Sequence, residues 1–95
     1  MSNPDQAFVD RADAHVRLAN EQAQGANRGN AAASLAFGSA RYNMWIMASG
    51  HQSGADLQKA GPAVIAGLMD QYRRMLEDNL ADYIENFAEY FARKG

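Results

Sequence analysis

The sequence predicts an all-α fold: a three-helix antiparallel bundle with a central apolar helix and a long C-terminal helix. Three observations carry that expectation. Apolar residues recur at steps of three and four through three segments, the spacing that lines up one face of a helix. Clusters of Gly, Asn and Ser separate the segments with turn chemistry. No segment alternates apolar with polar residues as a half-buried strand would. A chain of 95 residues holds one domain, here 1–95, with helices expected at about 4–24, 31–49 and 62–92.

The first helix is expected to start at Asn3–Pro4. Asparagine caps free N–H groups, proline suits the first helical position, and Gln6 completes an Asn-x-x-Gln capping box. Its apolar stripe is Phe8, Val9, Ala12, Val16, Ala19 and Ala23. Asp10, Arg17 and Glu21 lie on the far side, where Arg17 and Glu21 are spaced to pair across one turn. Gly25 stops this helix, and the stretch from Gly25 to Asn30 is turn-forming.

Asn30 is spaced to cap a second helix from Ala31 to about Ser49. Leu35, Tyr42 and Ile46 fall on one side of it, and Phe37, Ala40, Met44 and Met47 on the other. A helix apolar on two sides is normally central, with neighbours on both. Ser34, Ser39, Arg41 and Asn43 interrupt it with too many polar groups for a comfortable membrane span. The next connection is expected over Gly50–Gly61, with a short helical turn at Ala55–Lys59.

Pro62 is placed to open the third helix. From Ile65 its stripe runs through Met69, Tyr72, Leu76, Leu80, Tyr83, Phe87 and Tyr90, flanked by Ile84 and Phe91. These stay on one side of a helix for the whole length. A break near Asp78–Asn79 is the alternative, because Asn79-Leu80-Ala81-Asp82 offers a new cap. Continuity is favoured because neither glycine nor proline occurs from Leu68 to Lys94. Asp70–Arg74, Arg73–Glu77 and Arg74–Asp78 are spaced as supporting ion pairs, and Arg93 and Lys94 suit the C-terminal dipole.

A third helix of about 45 Å against companions of about 30 Å would overhang a simple bundle by one to three turns. Four of the chain's eight Phe and Tyr residues, namely Tyr83, Phe87, Tyr90 and Phe91, lie in that stretch. Monomers seldom expose so large an apolar patch. The four residues are therefore the candidate interface of a two-fold dimer. Folding back of a bent third helix onto its own bundle is the competing outcome.

Arg41 is the one charged residue between Arg28 and Asp56, in the middle of the apolar helix. A buried guanidinium requires a partner. If the first two helices form a hairpin, Asp13 lies level with Arg41 and Asn20 on the same edge. Asp13, Asn20 and Arg41 are thus a candidate structural polar cluster, with an anion site around Arg41 as the sharper alternative. His15 and His51 lack the i,i+3 or i,i+4 carboxylate that helix-borne metal sites use. Asp78, Asp82, Glu85 and Glu89 form an acidic ridge expected to be solvated. Met44, Trp45, Met47, Met69 and Met75 are expected to pack the core.

Composition removes other classes. Eleven acidic against nine basic residues give a net charge of −2, which argues against a surface for nucleic acid phosphates. Without cysteine there is no disulfide, thiolate metal site or cysteine nucleophile. No Gly-x-Ser-x-Gly, phosphate loop or Gly-x-Gly-x-x-Gly occurs. The N-terminus has neither the basic nor the apolar region of a secretory signal, so a cytoplasmic chain is expected.

Several blocks carry a family likeness: Phe8-Val9-Asp10-Arg11-Ala12-Asp13, Arg17-Leu18-Ala19-Asn20-Glu21, Ala40-Arg41-Tyr42-Asn43, and the long run from Gln71 to Phe87. The chain, from about residue 5 to 90, resembles a small uncharacterised bacterial family seen mainly in proteobacteria, a domain of unknown function. His15–Val16 stands where that pattern has an aromatic–aliphatic pair. The resemblance implies a short cytoplasmic helical protein and no particular reaction.

The expectation is a non-enzymatic interaction or assembly protein that self-associates through its C-terminal helix, with a further protein partner allowed. It needs no catalytic residue, cofactor or metal, and it contacts neither nucleic acid nor membrane. A binder of a small anionic or amphipathic ligand between helices around Arg41 is the alternative.

Overall fold

A computed structural model describes residues 4–92, and every element among them is helical: α1 (Pro4–Gln24), α2 (Arg28–Ser49), α3 (Gly54–Glu85) and α4 (Phe87–Phe91). The chain divides into two compact units, one up to Ala48 and one from Ser49.

In the first unit, α1 and α2 are joined at Gly25–Asn27. The expected Asn3 cap lies outside the described residues, and Gln6 Nε2 donates to Asp10 Oδ1 at 2.9 Å. α1 ends where the Gly25 and Ala26 amides donate back to the Gln22 and Ala23 carbonyls. The cap of α2 is Asn27 and not Asn30. Its Oδ1 accepts from the Asn30 amide at 2.7 Å, and its carbonyl accepts from the Ala31 amide at 3.2 Å. An asparagine side chain accepting from the third helical N–H is the strong capping arrangement, so Arg28, Gly29 and Asn30 join the first turn. Close to this turn α1 and α2 meet through small side chains. Ala31 sits there at 6% exposure, the one buried apolar residue among those described. A shallow groove beside it is lined by Val16, Ala19 and Asn20 from α1 and by Arg28 and Leu35 from α2.

The second unit is dominated by α3, which starts eight residues before Pro62. Ser53 caps it, with extended backbone and Oγ accepting from the Asp56 amide at 3.1 Å. Asp56 adds a negative charge to the first turn, which favours the helix dipole. The cap at Ser53 therefore outweighs proline as the starting signal. Pro62 lies inside the helix, where it has no N–H to give to the carbonyl four residues back.

α3 passes Asp78–Asn79 without a break. Asn79 does not act as a cap: its Nδ2 donates back to the Met75 carbonyl at 2.8 Å. Continuity to residue 92 is nevertheless corrected. α3 ends at Glu85, and Asn86 (φ −110°, ψ 23°) separates it from the short α4. The Asn86 amide still reaches the Asp82 carbonyl at 2.9 Å, while its side chain donates to the Asp82 carbonyl and carboxylate at 3.3 and 2.8 Å. Holding both donors on one upstream residue fixes the bridge-region backbone at Asn86, and the chain turns there. Arg93 and Lys94 lie outside the described residues.

Among the predicted ion pairs, Asp70–Arg74 closes at 2.9 Å and Arg73–Glu77 at 3.5 Å. No helix among the described residues is long and apolar enough to cross a membrane.

Candidate functional site

The residues expected to meet a second chain are gathered by the turn at Asn86. Ring centroids of Tyr83 and Tyr90 lie 4.7 Å apart, Phe87 and Phe91 also 4.7 Å, and Tyr83 and Phe91 6.3 Å. Along a straight helix, residues seven apart are separated by about 10.5 Å. The bend at Asn86 shortens that separation and turns a stripe into a compact aromatic cluster. Tilted rings at these distances are within the favourable range for aromatic pairs.

The cluster remains open to its surroundings. Tyr83 is 45% exposed, Phe87 61%, Tyr90 49% and Phe91 41%. Self-contact thus hides only part of each ring.

Asp82 organises the cluster from one side. Its Oδ1 accepts from Asn86 Nδ2, and its Oδ2 accepts from the Tyr90 hydroxyl at 2.8 Å. That hydrogen bond raises the Tyr90 phenol above its usual pKa of 10.0, with desolvation and the Asp82 charge adding to the effect. Asp82 is half-buried, while Asp78, Glu85 and Glu89 of the same acidic ridge are exposed. The expectation of a uniformly solvated ridge therefore fails at Asp82. The spacing Asp82-x-x-x-Asn86-x-x-x-Tyr90 was the available signal: three polar groups one helical turn apart, beside an aromatic run.

The other candidate cluster is not assembled within the chain. Asp13, Asn20 and Arg41 are all exposed, and among the described residues no ion pair or hydrogen bond joins Arg41 to either of the others. Asn20 lines the shallow α1–α2 groove instead. On α2, Tyr42 and Trp45 stack with centroids 6.2 Å apart and planes at 18°, both two-thirds exposed. Met44 and Met47 are half-buried. His15 is exposed and His51 half-buried.

Comparison with known families places the chain. Residues 8–84 match a family described as protein of unknown function, DUF3144. That span takes in most of the chain, and the protein belongs to this family. No curated protein and no solved structure matches it.

Proposed function

We propose that this DUF3144 protein is a non-enzymatic helical assembly protein that joins a second copy of itself through the C-terminal part of α3 and α4. The observation that carries this reading is the aromatic cluster Tyr83–Phe87–Tyr90–Phe91, held together by its own backbone yet 41–61% exposed.

Helix lengths support it. α3 has 32 residues, against 21 in α1 and 22 in α2. At 1.5 Å per residue these are about 48, 32 and 33 Å. α3 thus exceeds either of the others by about 15 Å, and its last turns carry Tyr83, with Phe87, Tyr90 and Phe91 following in α4. A second chain related by a two-fold axis covers this surface with its own α3 and is covered in turn.

Light scattering at tens of micromolar tests this. The unmodified chain should show twice the 10.4 kDa mass of one copy. The pair Phe87→Ser with Phe91→Ser should return it to one copy while its circular dichroism remains helical. A monomeric mass for the unmodified chain would refute the proposal. Extra bound mass in native mass spectrometry of a monomer would redirect attention to a ligand near Arg41.

A further inference from the structure

The apolar stripe of α3 repeats after eleven residues. Ile65, Met69 and Tyr72 are followed by Leu76, Leu80 and Tyr83. At 100° per residue all of them fall within an arc of about 80°, and each is 45–67% exposed. An eleven-residue period runs at about 3.67 residues per turn, close to an undistorted helix. A seven-residue period must be wound left-handed to stay in line. α3 therefore offers a nearly straight apolar face about 27 Å long between Ile65 and Tyr83.

Met69, Asp70, Tyr72, Arg73, Leu76 and Glu77 line a shallow, open depression on this face. Positions i, i+3, i+4 and i+7 are the four corners of the hole that receives one side chain from a facing helix.

We infer that a second copy of this chain fills that hole, with the two α3 helices antiparallel about a two-fold axis near Leu76. The inference rests on the self-association proposed above and specifies its face, direction and register. Antiparallel pairing about residue 76 sets opposite one another residues whose numbers sum to about 152 (twice the central position). Tyr72 then faces the partner's Leu80, and Met69 the partner's Tyr83. Here members of the stripe meet one another, so the face is complementary to itself.

Charge selects the direction. An antiparallel pair brings the same flank of both helices together. One flank of the stripe carries Arg73 and Glu77. Each Arg73 then lies beside the partner's Glu77, and two opposite-charge pairs close around the axis. A parallel pair would set this flank against the other one, which presents Leu68, Met75 and Asn79. Within one chain the Arg73–Glu77 contact is long at 3.5 Å, against 2.9 Å for Arg74–Asp70. Both groups are exposed and have reach to spare for a facing helix.

The chain has no cysteine, so introduced cysteines report the register. Leu76→Cys should form a disulfide-linked dimer under mild oxidation. Tyr83→Cys alone should not, because its two copies would lie about 21 Å apart along the axis. A mixture of Met69→Cys and Tyr83→Cys chains should cross-link, which covers the case in which Leu76→Cys disturbs the centre. Self-linking of Tyr83→Cys would mean a parallel pair and overturn the inference. A dimeric mass with none of these cross-links would place the second copy on another face, overturning the register but not self-association. A monomeric unmodified chain would overturn both.

Discussion

The Tyr90 hydroxyl donates a 2.8 Å hydrogen bond to Asp82 Oδ2, across eight residues and the break between α3 and α4. This contact ties the last described helix back onto the one before it. Because the carboxylate accepts, the neutral phenol is the form that fits, and the Tyr90 pKa is raised from 10.0. A raised value means that the folded chain holds this proton more tightly than the unfolded chain. The contribution is complete below pH 10 and is lost as pH climbs through the higher folded value. In an ultraviolet tyrosine titration, Tyr90 should give a late phase above its ordinary value. Tyr90→Phe should remove that late phase. A titration unchanged by the substitution would contradict the assignment.

Asn86 supplies the bend on which the cluster depends, through its side-chain bonds to Asp82. Asn86→Ala removes both and substitutes the best helix former. The expected result is a continuous helix, with a gain in helical circular dichroism and loss of magnetic contacts between the Tyr83 and Tyr90 rings. Retention of those contacts would show that ring packing alone sets the bend.

Asn27 caps α2 through the Asn30 amide at 2.7 Å. Asn27→Ala should cost about 1 kcal/mol, seen as a fall in Tm of about 4–8 °C for a domain of this size. Asn27→Asp keeps the acceptor and should retain most of the stability. Asn30→Ala should be close to neutral, since Asn30 is inside the first turn.

Gly67 lies inside α3, on the side opposite the apolar stripe, and a Cβ there would meet nothing within 4 Å. Gly67→Ala should therefore stabilise the protein by about 0.5–1 kcal/mol, the ordinary glycine penalty in a helix interior. Destabilisation in a thermal melt would reveal a neighbour packed on that face.

The helices were legible from spacing alone, because every apolar stripe kept its period. Their ends were less so, and the reasons are local. Asn27 and Asn30 are both credible caps, and only geometry reveals that the earlier one engages an amide three residues on. Pro62 resembled a start because proline is tolerated at a first turn, yet Ser53 with Asp56 satisfies the end better. Asn79 and Asn86 look alike in sequence. The residue four before Asn79 is Met75, which offers its carbonyl but no side-chain acceptor. The residue four before Asn86 is Asp82, which offers carbonyl and carboxylate together. That difference separates a continuing helix from a broken one, and it also hides Asp82 among residues that otherwise form a solvated ridge. The aromatic cluster was legible in its membership but not in its folded-back form.

The central claim is that a second chain completes the apolar packing of this protein. Thermal unfolding followed by circular dichroism across a hundredfold range of protein concentration tests it most directly, because association linked to folding makes Tm depend on concentration. The account predicts a Tm that rises steadily with concentration, and a flat response for Phe87→Ser with Phe91→Ser. A cooperative transition with the same Tm at every concentration of the unmodified chain would contradict it.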